Sequence, residues 1–225
     1  MSNDRLGIIV SARMDSTRLP EKAIRPLQGR KMLDFLFKRL KSSNFVDEFI
    51  FATTTRVEDK VLLEIALDNG FKTFAGSTNN LIDRYVRAAR EYDVDTVIRV
   101  TGDCPFVNGE MIDYCWGCIE GVDFDLASTK GFFPEGIDAE FYKSNLMESL
   151  LKKEELSEQD KEHLTLYFYK NKNEYNILNI NPPECWVSKQ SFTIDTPEDY
   201  LKAIKIADNF ESYSFSIQDM VNFRT

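Results

Sequence analysis

The 225-residue sequence predicts an α/β protein whose mostly parallel, mixed sheet is flanked by helices, with a smaller excursion late in the chain. Short apolar runs alternate with longer segments of helical period, as βαβ units require. Turn and cap signals separate them, and the alternation lapses after about residue 131 into a Gly/Pro-containing stretch.

Leu6 to Ser11 is a continuous apolar run of the kind buried on both faces of a parallel sheet. Further strands are expected at Glu48 to Thr53, Lys72 to Phe74, Thr96 to Thr101 and Phe124 to Ala127, with helices from Met32 to Lys41, Val57 to Asn69 and Asn80 to Tyr92. Asn69-Gly70 ends the second helix with a residue suited to the left-handed C-cap. Beyond residue 131 come helical segments at Asn145 to Lys153 and Glu158 to Lys170, and strands near Tyr175 to Asn181 and Gln190 to Ile194. A last helix opens at Asp195-Thr196-Pro197-Glu198-Asp199, with proline and acids in its first turn. No repeat or linker divides the chain, so 1–225 reads as one domain, with about 131–190 as an excursion within it.

A net charge of −9 argues against general nucleic-acid binding, which needs a basic face. The exception is local. Between Ser11 and Lys31 six cations, Arg13, Arg18, Lys22, Arg25, Arg30 and Lys31, face only Asp15 and Glu21, a pattern suited to a small anionic ligand. No window approaches a membrane span or cleavable signal peptide, which points to the cytoplasm. The four cysteines are expected to be reduced; Cys115 and Cys118 have Cys-x-x-Cys spacing without the second pair a zinc site needs.

In sheets of this type ligands gather beyond the carboxyl ends of the strands. The first strand empties into a loop carrying Arg13, Arg18 and Lys22, able to wrap a triphosphate. Asp103 and Asp195 each follow a strand-like run, and two carboxylates with phosphates and waters make a Mg²⁺ shell. Asp195 stands equally where a helix N-cap would.

The run Ala12-Arg13, Ser16-x-Arg18-Leu19-Pro20 and Lys22, with Gly76-Ser77, Asp83-Arg84-Tyr85, Gly102-Asp103-x-Pro105 and Asp195 to Asp199, resembles the cytidylyltransferases that make CMP-activated sugar acids. These are the acylneuraminate and 3-deoxy-manno-octulosonate enzymes, and the likeness is greatest to their spore-coat polysaccharide cytidylyltransferase-like branch. The resemblance spans nearly the whole chain. It implies a Rossmann-like nucleotidyltransferase fold, Mg²⁺, a homodimer formed through the excursion, and transfer of CMP from CTP to a sugar acid or related acceptor for surface polysaccharide or glycoconjugate biosynthesis. It assigns Arg13 and Lys22 to the triphosphate with Arg18 in support, and Asp103 and Asp195 to the metal. Ala12, Ser16, Thr53, Gly76, Ser77 and Arg84 fall on the nucleotide side. Pro134 to Glu140 and Glu162-His163-Leu164-Thr165-x-Tyr167 match acceptor-side motifs, so Asp138, Glu140 and His163 would face the acceptor.

Two departures stand out: Glu21 where relatives usually carry Gly before the lysine, and Ala75 where the closest branch often has Arg. They leave open a nucleotidyltransferase using another NTP or a small phosphorylated alcohol. A glycosyltransferase using nucleotide-diphosphate sugars would carry an Asp-x-Asp turn, whereas Asp123-x-Asp125 lies at the entry to a strand. A non-catalytic nucleotide-binding subunit is the remaining alternative.

Overall fold

Ile8 and Val10 point into one apolar core and Ile9 into another, so the first strand is buried on both faces and must lie inside a sheet with helices on each side. The computed structural model describes residues 4–153 and 156–223. In chain order its first elements are β1 (Leu6–Ser11), β2 (Pro26–Leu27), β3 (Arg30–Lys31), α1 (Met32–Leu40), β4 (Glu48–Thr54), α2 (Lys60–Asp68), β5 (Lys72–Gly76), α3 (Leu81–Glu91), β6 (Thr96–Thr101) and α4 (Gly109–Ile119). There follow β7 (Leu126–Ser128), β8 (Glu140–Lys143), α5 (Ser144–Leu151), α6 (Glu158–Glu162), α7 (Leu166–Lys170), β9 (Ile177–Asn179), α8 (Pro197–Asp208) and α9 (Ile217–Asn222).

Seven strands form one sheet in the order β5-β4-β1-β6-β8-β7-β9, in which β8 alone runs antiparallel to its neighbours. Ser11 pairs with Ala52 on one side and Thr101 on the other, which levels the carboxyl ends of β1, β4 and β6. The chain leaves β1 toward β4 and returns on its far side as β6, creating a crevice between β1 and β6 at those ends. One core packs α1, α2, α4, α8 and α9 against the sheet; the other packs α3, α5 and α7.

Several expectations are corrected. Gln190 to Ile194 joins no sheet: Phe192 N–H donates to Glu135 O at 2.7 Å and Ile194 N–H to Asp103 O at 2.9 Å. Strand β8 was not anticipated, because it begins with Glu140, a buried acid that breaks the apolar signature of a central strand. The segment Glu158 to Lys170 is two short helices broken at residues 163–165, and the helix expected from Val57 opens with a 3₁₀ turn, Val57–Asp59. The strands near 124 and 175 are shorter than expected.

Strands β2 and β3 make a hairpin closed by Gln28 and Gly29, both with positive φ (49° and 70°), as the tightest hairpin turns need. The Gln28 amide donates to the carbonyls of Ala207 and Phe210, each at 2.8 Å, at the end of α8.

Candidate active site

The crevice is built by close approach of β1 and β6. Gly102 N–H donates to Ser11 O at 2.9 Å, and a Cβ on Gly102 would sit 2.7 Å from the Cβ of Ala12, so only glycine fits there. Beyond Ser11 the loop is fastened from beneath by the segment after β4. Buried Asp59 accepts Met14 N–H at 2.7 Å and the Thr54 hydroxyl, and the Thr53 hydroxyl donates to Ala12 O at 2.8 Å. Asp15 takes Arg13 Nε at 2.9 Å and Arg56 at 2.5 Å. Leu19 is buried as the anchor of the loop.

Glu21, the residue before the lysine, adopts φ 57° and ψ 24°. This left-handed conformation costs a residue with a Cβ on the order of 1 kcal/mol. It turns the chain into the 3₁₀ helix Lys22–Ile24 and sends Lys22 into the crevice. There the Lys22 ammonium stands 3.0 Å from Asp195 Oδ1 and 3.3 Å from Asp103 Oδ2, and Arg18 reaches Asp195 Oδ2 at 3.0 Å.

The N-cap role of Asp195 is excluded. Thr196 caps α8 and Asp199 returns to the backbone N–H groups of Asp195 and Thr196 at 3.1 and 2.9 Å, so the Asp195 carboxylate is free to face the cations. At Asp103 desolvation pushes the carboxyl pKa up, but Lys22 and the Thr101 hydroxyl more than offset it and hold the group below its ordinary value.

These groups line a cavity of about 640 Å³. Ala12, Arg13, Ser16, Arg18 and Lys22 line it together with Asp103, Asp195, Arg84 and His163. Three expected nucleotide-side residues are not among those lining the cavity: Thr53 is wholly buried as a prop, and Gly76 and Ser77 precede Thr78 and Asn79, which do line it. Arg84 is buried, and its guanidinium donates to Ser77 O at 2.9 and 2.6 Å. It shapes the cavity rather than presenting a free charge.

The acceptor-side residues divide. His163, the C-cap of α6, is exposed to the large cavity. Asp138 and Glu140 line a second cavity of about 240 Å³ that shares Thr101 and Asp103 with the first. Glu140 is 1% exposed and saturated: Arg99 lies 2.5 Å away, Lys130 2.9 Å, the Tyr169 hydroxyl 2.7 Å and the Thr165 hydroxyl 2.9 Å. Burial alone would push its pKa up, yet Arg99, Lys130 and Tyr169 bring it down to about 2. Glu140, expected on the acceptor side, lines this second cavity while its carboxylate is taken up by neighbouring side chains. Arg56, Asp59 and Arg99 had no local signal, since each acts on a partner some forty residues distant.

A family model described as cytidylyltransferase matches residues 7–218. The spore coat polysaccharide biosynthesis protein SpsF of Bacillus subtilis is 35% identical over 206 residues, covering 88% of this chain and 84% of that protein. An uncharacterized protein of Methanocaldococcus jannaschii is 31% identical over 217 residues, 96% of this chain and 88% of its own. Among solved structures, a cytidylyltransferase from Leptospira borgpetersenii superposes with a TM-score of 0.90 at 33% identity, covering 97% of this chain and 93% of that one.

Proposed function

This chain belongs to the cytidylyltransferase family, with its nucleotidyltransferase fold, and on that premise we propose that it transfers CMP from CTP to an acceptor oxygen and releases pyrophosphate. The observation that carries the reading is the meeting of Lys22 and Arg18 with Asp195 and Asp103 in the cavity that Arg13 also lines.

In this mechanism Arg13, Arg18 and Lys22 take the triphosphate. An acceptor hydroxyl attacks the α-phosphorus in line, a P–O bond forms to the acceptor, and the bond to the β-phosphate oxygen breaks. The hydroxyl proton leaves to a site carboxylate or water. Lys22 follows the negative charge that builds on the departing pyrophosphate. The donor set suits a hard divalent cation: two carboxylates already converge on one cation, the Lys22 ammonium, at 3.0 and 3.3 Å. Among the described residues no group of three or more ligating side chains exists, so Asp103 and Asp195 would hold Mg²⁺ jointly with nucleotide oxygens and water. Bound there, Mg²⁺ would neutralise charge at the α-phosphate.

The likeness to SpsF supports a role in surface polysaccharide or glycoconjugate synthesis. No helix among the described residues is long and apolar enough to cross a membrane, and we place the reaction in the cytoplasm. A homodimer formed through residues 131–190 belongs to the same reading, with exposed Phe132 and Val187 as apolar surface.

Thermal unfolding with Mg²⁺ and each of CTP, UTP, ATP and GTP tests the nucleotide. At a hundred times Kd, CTP should stabilise the fold by about 2.7 kcal/mol, and the shift should vanish in Lys22→Ala. A shift with another nucleotide alone, or with none, would overturn cytidylyl transfer.

A further inference from the structure

The smaller cavity holds charges of both signs, but they are not equally available. Its cations are Arg99 and Lys130, and both are committed to the single carboxylate of Glu140, at 2.5 and 2.9 Å. Thr165 and Tyr169 complete that carboxylate, and Lys130, 40% exposed, is the one cation of the cluster open to solvent. The remaining acids are open. Asp138 and Glu135 line the same cavity, and among the described residues neither has an ion-pair partner; Asp138 has only the Cys104 thiol, 3.7 Å away. Burial pushes the Asp138 carboxyl up and Lys130 offsets this incompletely, as expected of an acid without a committed cation. Glu158 and Glu162 line the larger cavity with His163.

We propose that the smaller cavity receives the acceptor and selects one that presents hydroxyl or ammonium groups there and carries no carboxylate. This rests on the nucleotide-transfer reading above and narrows its acceptor class away from sugar acids. The two cavities meet at Thr101 and Asp103, so a molecule seated in the smaller one reaches the reacting end of the larger. An entering carboxylate would face Asp103, Asp138 and Glu135, and the more exposed of the two cations, Lys130, it would have to share with Glu140. Hydroxyl and ammonium groups are donors, and they meet acceptors already in place: two open carboxylates and the side chains of Thr101 and Thr193.

The test compares three probes of one ring size, glucosamine, glucose and glucuronate, titrated at matched ionic strength into the enzyme saturated with Mg²⁺ and the non-transferring analogue α,β-methylene-CTP. Glucosamine should bind at least tenfold more tightly than glucuronate, with glucose between them, and Asp138→Asn combined with Glu135→Gln should reduce that preference below threefold. Glucuronate binding as tightly as glucosamine, a preference unchanged in the double variant, or saturable binding of none of the three would overturn the proposal. The analogue's own stabilisation, read before any sugar is added, reports the nucleotide reading separately. Should the analogue fail to bind, the same titrations run without it still decide the selectivity of the cavity.

Discussion

The cation clusters on the two sides of Asp103 use the same chemistry for opposite ends. On the phosphate side Lys22 and Arg18 share two carboxylates that are each about a third exposed, 32%, so water and ligand reach the pairs and partners can be exchanged. On the other side Arg99, 13% exposed, is pinned to a Glu140 carboxylate at 1%, inside a shell of hydroxyls. An ion pair built for ligand exchange is left partly wet; one built to hold the fold is sealed and saturated.

The largest expected effect breaks the sealed pair. Glu140→Ala leaves Arg99 buried without its anion and should destabilise the protein by about 3–5 kcal/mol, measured by urea unfolding. A cost below about 1 kcal/mol would mean that the pair is as exchangeable as Lys22. The same contrast appears with pH. Because the folded-state pKa of Glu140 lies near 2 against an ordinary 4.5, its stabilisation is complete above about 4.5 and is lost as pH falls through about 2. The amount is about 3 kcal/mol. Glu140→Gln should flatten that part of the stability–pH curve.

On the wet side, Lys22→Ala should lower kcat by about 10²–10³ while leaving the unfolding midpoint nearly unchanged. Pyrophosphate release and thermal unfolding on the same sample separate these effects. Smaller still is a change in metal affinity. Lys22 stands between Asp103 and Asp195, so Mn²⁺ should bind the free enzyme weakly, and Lys22→Ala should raise that nucleotide-free affinity roughly tenfold, as followed by electron paramagnetic resonance. Equal affinity in both proteins would show that the ammonium does not compete for the carboxylates. Smallest, Glu21→Gly should relieve the left-handed backbone and gain about 0.5–1 kcal/mol of stability. It should also tighten nucleotide binding a few-fold by removing a negative charge beside the phosphates.

This contrast also explains what could be read from the chain alone. The phosphate loop is contiguous, so Arg13, Arg18 and Lys22 announce themselves within a few residues, and the parallel strands feeding the crevice are plain apolar runs. Glu140 matched a motif but gave no sign that its carboxylate would be consumed, because its partners come from three separate stretches of chain: Arg99 from β6, Lys130 from the loop after β7, and Thr165 with Tyr169 from α7 and its cap. The same buried acid concealed β8. The capping of α8 was legible as a helix start, while the choice of Thr196 over Asp195 as cap rests on the reciprocal hydrogen bonds between Thr196 and Asp199.

The Gln28 hairpin has a mechanical consequence. Its amide holds the carbonyl end of α8, and Tyr200, within α8, donates its hydroxyl to Pro26 O at 2.5 Å, so hairpin and helix are bolted together at two points. Lys22 precedes this unit and Asp195 leads into it, whereas Asp103 is mounted on the sheet. Asp195 is in turn tied to Asp103 through the backbone, since Ile194 N–H donates to Asp103 O at 2.9 Å, so bolt, helix and sheet set all three groups of the site in one frame.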